Sequence, residues 1–501
     1  MARYNSSMEL DHERCYRALS TRDARFDGLF FVGVTTTGIY CRPVCTARTP
    51  GSDRCQFFPS AAAAEQAGFR PCLRCRPELA PGHSPIDAVS RVARAASARI
   101  EAGALNNGKS LEDLAHEFGL SSRQLRRVVQ RELGVPPVRL AQTHRLLLAK
   151  QLLTETRLPI IQVAFASGFE SLRRFNALFL SHYRMSPSRF RRTGETISEE
   201  EPLRLRLGYR APLAWDHLMR FFAGRASLGV EWVAGDTYAR TVAIGPHRGW
   251  FSVAPLEGTN TLTVEFSATL TPVLAPLLAR VRHLFDLNAR PDVIAEHLGD
   301  DPRLGPSLSR NPGLRVPGSF SGFDQAWRAI LGQRVSVRAA TTVAQRLTSM
   351  FGEPIETPYP QLDRLAPSPE RLADADLEQL AGIGMGQERA RSIQTLARAI
   401  VEGRLRLEPG ADPEATIAQL KEFRGIGEWT AQLIAMRALG WPDAFPDGDL
   451  GLLQCLGVSS TAQLRALAEA WRPWRSYAAM HAWSAHPAHT PTEQTSRSTL
   501  V

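Results

Sequence analysis

Four cysteines stand in two close pairs, Cys41 and Cys45 in "YCRPVC" and Cys72 and Cys75 in "PCLRC", with 26 residues between the pairs. A C-x3-C pair followed by a C-x2-C pair lets two short loops each offer two thiolates to one tetrahedral zinc ion. Zinc keeps coordinated thiols ionised at neutral pH, and the thiolate is the nucleophilic form of sulfur. Most sites built from four cysteines only staple a small domain, so the spacing predicts the metal and leaves its role open. Cys55 falls between the pairs and could compete as a ligand, whereas Cys15 and Cys455 read as small apolar residues.

A second group of chemically apt residues lies in "KEFRGIGEWTAQLIAMRALGWPDAFPDGD", residues 421–449. Gly425 and Gly427 allow a tight turn between helices whose backbone N–H groups can approach a DNA phosphate. Asp449 stands 22 residues beyond Gly427, expected in a short loop where a carboxylate could face a bound nucleotide, with Asp447 as the competing acid. Lys421 is the only lysine after residue 200 and precedes the hairpin, so the hairpin itself offers no amine nucleophile. Cys455 alone cannot hold an iron-sulfur cluster, which needs four ligands, and neither such a cluster nor an organic cofactor is expected.

A third group is cationic. "SSRQLRRVV" and "ESLRRFNAL" each follow a glycine turn, at Gly119 and Gly168, and each carries paired arginines. Arg123 and Arg126 in the first, Arg173 and Arg174 in the second, offer donors to guanine edges or phosphates if these are the second helices of two helix-turn-helix units.

These groups need several scaffolds. At 501 residues with 44% apolar content the chain can fill about three independent cores. Residues 1–195 hold 29 Lys+Arg against 17 Asp+Glu and the remainder 31 against 33, an excess of +12 in front and −2 behind. Such asymmetry points the front at a polyanion, most simply double-stranded DNA. The first dozen residues lack an apolar leader and no run of about 18 apolar residues occurs, so a cytoplasmic, nucleoid-associated protein with no membrane partner is expected. "LFFVGVTTTGIY" is strand material and "SAAAAEQAGF" reads as a helix ended by Gly68, while residues 85–193 are helical, with Ser110 capping "LEDLAHEFGL".

"TTTGIYCRPVC" with "AGFRPCLRC" resembles the amino-terminal domain of Ada-type regulators of the response to DNA alkylation, over roughly residues 10–80. The resemblance implies that Cys41 is both a zinc ligand and the acceptor of a methyl group from a DNA methylphosphotriester. Methylation would take the zinc-thiolate centre from a formal −2 to −1 and ease its approach to phosphates, so repair would double as a binding switch. Residues 85–193, ending "HYRMSPSRFRR", resemble the AraC-type double helix-turn-helix domain, which makes promoter DNA a partner and RNA polymerase a candidate one. No P-C-H-R stretch occurs, so the second methyltransferase that commonly closes such regulators is not expected.

Residues 203–488 are instead similar to helix-hairpin-helix DNA glycosylases, most closely the 3-methyladenine DNA glycosylase II type, through "SLGVEWVAGDTYART", "RHLFDLNARPDVI", "GSFSGFDQAWRAILGQRVSV", the hairpin and "RPWRSYAAMHAW". That similarity implies Asp449 as the catalytic carboxylate, Trp429, Trp483 and Phe221 as walls of a base pocket, and hydrolysis that leaves an abasic site. It also implies DNA contact through Gly425, Gly427, Gln333 and Arg334. Arg334 departs from the apolar wedge usual after "ILGQ", although its guanidinium could stack in the gap left by a flipped base, and Leu433 and Leu450 replace aromatics.

The expected fold class is multidomain. A small α+β zinc-binding methyl-acceptor domain (1–82) precedes an all-α double helix-turn-helix domain (83–193) and a linker (194–202). An α+β subdomain (203–310), an α-helical helix-hairpin-helix glycosylase domain (311–488) and a disordered tail (489–501) complete the chain. The alternative is a regulator only, with a vestigial glycosylase fold used to scan DNA.

Overall fold

The computed structural model of the protein describes residues 10–82, 91–106, 108–191 and 202–485. The tail and, save Pro202, the linker lie outside these residues. In the first unit, strands β1 (Phe31–Val34) and β2 (Ile39–Cys41) form a hairpin in the register Val32 opposite Cys41. The turn closes on Gly38, whose φ of +63° suits a residue without Cβ. β3 (Cys55–Phe58) and β4 (Arg70–Pro71) complete a sheet of order β3-β1-β2-β4, with β4 parallel to β2. Helix α1 (His12–Ser20) starts at the Asp11 cap and α2 (Ala61–Gln66) at the Ser60 cap. A Cβ at Gly33 would come within 2.8 Å of the rings of Phe58 and Phe69, so only glycine lets these rings close over the sheet.

The helical unit contains α3 (Arg91–Glu101), α4 (Leu111–His116), α5 (Ser122–Leu133), α6 (Pro137–Glu155), α7 (Ile160–Ala166) and α8 (Leu172–Tyr183). Capping boxes at Ser110/Asp113 and Ser121/Gln124 begin α4 and α5, and Gly119 and Gly168, at φ +64° and +91°, make the two turns. Leu125 and Val129 of α5, like Phe175 and Phe179 of α8, are buried, which leaves the arginines between them outside. α6 is buried nearly all round because it touches three units at once.

The back half opens with a five-stranded antiparallel sheet of order β5-β9-β8-β7-β6, built from β5 (Leu203–Gly208), β6 (Glu231–Ala234), β7 (Thr237–Ile244), β8 (His247–Pro255) and β9 (Thr261–Phe266). In β5 the alternation of buried Leu203, Leu205 and Leu207 with exposed Arg204 and Arg206 puts one face on the core. Beyond it lies a helical body packed around Trp327, Trp471 and Trp474.

The units are not strung out as beads. One apolar core joins Leu146, Leu152, Phe175 and Phe179 of the helix-turn-helix unit to Leu205, Val264 and Phe266 of the sheet. Arg210 donates to Asp27 O at 3.1 Å, Gly82 O at 2.9 Å and Asn288 O at 2.9 Å, tying the zinc unit to the back half. Gly208 passes so close to Leu79 that an added Cβ would lie 2.0 Å from its carbonyl oxygen.

Two buried polar clusters hold α6 against the zinc unit. Lys150 pairs with Glu78, both side chains 1% exposed, and also donates to Cys72 O at 3.3 Å. Removing one partner of such a pair strands a charge in a dry site. Lys150→Met is therefore expected to cost about 3–5 kcal/mol, whereas adding Glu78→Leu should recover most of it, read from the melting temperatures of the single and double variants.

In the second cluster Glu65 accepts from Tyr40 Oη at 3.0 Å and Thr143 Oγ1 at 2.6 Å, with His182 Nδ1 3.6 Å away. Burial pushes the Glu65 carboxyl up to about 7, against the lowering pull of these hydrogen bonds and Lys150. A raised carboxyl favours the protonated fold, so this contribution is complete below the usual glutamate value and is lost as pH rises through about 7. The loss amounts to about 3 kcal/mol. Glu65→Gln is expected to flatten the melting temperature between pH 5 and pH 8, whereas the wild type falls.

Candidate functional site

β2 ends on Cys41, and the turn after it brings Cys45 back, with Cys45 N donating to Arg42 O at 3.1 Å. The parallel neighbour β4 leads into Cys72, whose N–H donates to Tyr40 O at 2.9 Å, and Cys75 lies in the next turn. Sheet pairing thus brings together two motifs far apart in the chain. The four Sγ atoms lie within 4.8 Å of one another, and Cys41, Cys45 and Cys72 are buried. A tetrahedral zinc with Zn–S near 2.3 Å sets its sulfurs roughly 3.8 Å apart, so this donor set fits one ion. Cys55 is not a fifth candidate: its thiol donates to Gly51 O at 3.4 Å and packs with Cys15, Phe30 and Val32.

The sulfurs differ in their surroundings. Cys75 Sγ accepts from Arg42 N at 3.3 Å. That bond draws negative charge off the sulfur. Arg42, between the first two ligands, turns its guanidinium inward to Asp27, with Nε 2.8 Å from Oδ1, and donates to Cys75 O at 3.1 Å. Asp27 belongs to no sequence motif, and nothing short of the folded sheet could have singled it out.

Arg123 and Arg126 on α5, and Arg173 and Arg174 on α8, are all exposed. Arg123 and Arg173 occupy the same position, two residues past the Ser121 and Ser171 caps, whereas Arg126 lies five residues past its cap and Arg174 three.

Asp449 closes the short loop after Gly448 and caps the helix Leu450–Leu456. Its Oδ1 accepts from Leu452 N at 3.0 Å and from Trp483 Nε1 at 3.0 Å, and its Oδ2 accepts from Trp429 Nε1 at 3.0 Å. Two indoles and a helix start thus aim one carboxylate. Asp447 turns away to pair with Arg465 at 2.7 Å. The helix Arg475–Ser484, which carries Trp483, is itself pinned by Arg475 on Asp443 at 2.7 Å and by Tyr477 Oη on Asp286 at 2.7 Å. These clamps lie within the stretch "RPWRSYAAMHAW", yet their partners are over 30 residues away and left no local signal.

Gly425 has φ +89°, and a Cβ there would lie 2.3 Å from Ser392 Oγ, so glycine is required. Gly427, at φ −92°, is the extended residue that starts the helix Glu428–Arg437. Gln333 Nε2 donates to Gly425 O at 2.8 Å and to Thr430 Oγ1 at 2.9 Å, which fastens the neighbouring loop to the hairpin. Arg334 is exposed with φ +55°. Lys421 pairs with Glu428 at 2.6 Å. Phe221 packs on the same helical core as Trp483, but guanidiniums already lie over its ring, Arg225 at 4.0 Å and Arg437 at 4.8 Å. Leu433 is half-buried and Leu450 is 73% exposed.

Four known domains match along this chain: the metal-binding domain of Ada at 14–78, a helix-turn-helix domain at 114–193, the AlkA N-terminal domain at 204–321 and the HhH-GPD superfamily base excision DNA repair protein at 327–473. A Mycobacterium tuberculosis protein named "Probable bifunctional transcriptional activator/DNA repair enzyme AlkA" is 39% identical over 96% of this chain and 98% of its own length. The chain belongs to that AlkA family of bifunctional activator and repair proteins. Other members of its constituent lineages match in part. DNA-3-methyladenine glycosylase 2 of Escherichia coli is 39% identical over 55% of this chain and 95% of its own. The bifunctional transcriptional activator/DNA repair enzyme Ada of Escherichia coli is 33% identical over 26% of this chain and 34% of its own. The AlkA-type chain therefore joins an Ada-like zinc unit and helix-turn-helix region to a helix-hairpin-helix glycosylase, and among the described residues no helix is long and apolar enough to cross a membrane.

Proposed function

We propose that this protein repairs alkylated DNA by two chemistries and regulates transcription through the first. Cys41, Cys45, Cys72 and Cys75 would hold one zinc ion, which when bound keeps the sulfurs ionised. The observation that carries the methyl-acceptor reading is the convergence of the four Sγ atoms within 4.8 Å of one another, at the end of β2, in the segment that matches the metal-binding domain of Ada. The resemblance to Ada-type domains makes Cys41 the nucleophile of the four. Cys41 Sγ displaces the phosphotriester oxygen from the methyl carbon, an S–C bond forms as the C–O bond breaks, and the phosphodiester anion leaves. Nothing in the site returns the thiolate, so each chain accepts one methyl group. α5 and α8, with Arg123, Arg126, Arg173 and Arg174 outward, read promoter DNA, and contact with RNA polymerase would complete activation.

In the back half the hairpin at Gly425 and Gly427 anchors a phosphate while a damaged nucleotide is extruded toward Trp429 and Trp483. A base alkylated at N3 or N7, as in 3-methyladenine, is a cationic leaving group that aromatic walls attract. As its glycosidic bond breaks, positive charge grows on C1′, and the fixed carboxylate of Asp449 stabilises it until water adds. Both indole N–H groups point at that carboxylate, so it needs no reorganisation during the step. Phe221 would support the pocket through its edge, its faces being engaged by Arg225 and Arg437.

Incubation with DNA methylated with a radiolabelled agent tests both halves at once. Label is expected on the protein at no more than one methyl per chain and in free bases at many per chain. Label that stays wholly in DNA would refute the proposal, and label on protein alone would favour the regulator-only alternative.

A further inference from the structure

The loop between the helices Gly322–Leu331 and Val337–Phe351 carries Arg334, whose resemblance-based place at the gap left by a flipped base does not say what its guanidinium recognises there. Gln333 ties this loop to the hairpin through Gly425 O and Thr430 Oγ1, and Arg389 donates to Gln333 O at 2.5 Å. Arg334, the next residue, adopts φ +55°, a left-handed conformation that strains a non-glycine residue. Its side chain is exposed, and among the described residues it makes no hydrogen bond or ion pair. Val335 and Val337 beside it are 40% and 42% exposed. A cation with no partner among the described residues, held in a strained turn and flanked by apolar side chains, thus projects from a loop bolted to the hairpin.

We propose that Arg334 reads the base left unpaired when the damaged nucleotide is extruded, and that it favours cytosine there. This rests on the base-excision reading. Extrusion exposes the pairing edge of the opposite base beside the gap. A guanidinium offers parallel N–H donors in a fixed fork and accepts nothing. Cytosine alone among the four bases presents two adjacent acceptors, O2 and N3, on that edge. Thymine sets an N3–H donor between its two carbonyls, guanine offers one acceptor beside two donors, and adenine pairs one acceptor with one donor. The fork therefore fits cytosine and meets a facing donor on thymine. The consequence is a rank order: alkylated guanines, which lie opposite cytosine, are excised in preference to alkylated adenines, which lie opposite thymine, beyond what the leaving groups themselves dictate.

The test uses the full chain and duplexes carrying one 7-methylguanine opposite either cytosine or thymine, with base release followed in single turnover. A mismatch itself eases extrusion, so the deciding quantity is the cytosine-to-thymine rate ratio of the wild type divided by that of Arg334→Leu. A bidentate contact of this kind corresponds to about tenfold or more in that quotient. Arg334→Lys, which keeps the charge and loses the fork, should behave like the leucine variant. A quotient near one would overturn the proposal, and so would a lysine variant that keeps the wild-type ratio, since charge alone would then suffice. Absence of release from either duplex by the wild type would refute the base-excision reading itself, whereas release with an unchanged ratio would refute only the role of Arg334.

Discussion

Replacing Asp449 with asparagine is expected to slow the release of alkylated bases by roughly 10²–10³-fold, the usual effect of deleting one preorganised electrostatic partner of a transition state. The side chain keeps its size and its oxygen acceptor, so the Leu452 N–H cap should survive, because asparagine and aspartate cap helices about equally well. One of the two indole N–H groups would lose its acceptor, since Trp429 and Trp483 occupy different oxygens of the carboxylate. The variant should therefore fold and bind DNA while the chemical step fails. Single-turnover release measured beside DNA affinity separates these effects. Asp447→Asn supplies the contrast: it breaks only a partly exposed pair with Arg465 and should change the rate less than about threefold, in line with the small energies of such pairs. A fast Asp449→Asn enzyme, or a slow Asp447→Asn enzyme, would move the acid to the other position.

The second large effect concerns methyl uptake. Cys41→Ala is expected to abolish transfer from methylphosphotriester DNA while leaving base release within about twofold, because the two chemical sites share no residue. Loss of a ligand also weakens metal binding, so the variant alone cannot separate acceptor from ligand. Peptide mapping of the methylated wild type does so, since the added methyl should reside on the peptide holding Cys41. Recovery of the methyl on Cys45, Cys72 or Cys75 would move the nucleophile off Cys41. Comparing promoter affinity before and after transfer at fixed salt then examines the switch. The gain on neutralising one charge should shrink as salt rises.

Much of this architecture was legible because it depends on local pattern. The cysteine spacings, the serine caps of α4, α5 and α8, the glycines at the helix turns and the alternating leucines of β5 are short-range features with short-range causes. The same holds for the resemblance to the Ada-type, AraC-type and glycosylase families, which rests on motifs of a dozen residues or so. What was not legible is the partner that lies far along the chain. Asp449, expected in a short loop, closes that loop as a helix cap, and two indoles 20 and 34 residues away donate to it. Phe221, expected as a wall of the base pocket, has two arginines over its ring, one of them on the hairpin's second helix. The linker suggested independent domains, yet α6 and β5 share one apolar core.

By itself, then, the sequence determined which atoms are available for chemistry: four sulfurs in two pairs, one acid beyond a glycine hairpin, and two sets of paired arginines. Local rules of capping, turning and alternation also determined the helices and strands that carry them. Tertiary structure alone decided that the four sulfurs converge, which oxygen of Asp449 meets which indole, and that Lys150 and Arg210 weld the zinc unit to the helix-turn-helix unit and the back half. The physical reason is range. Propensity and spacing act over a few residues, whereas hydrogen-bond partners and burial are set by chain segments that meet only once the sheets and helices have packed.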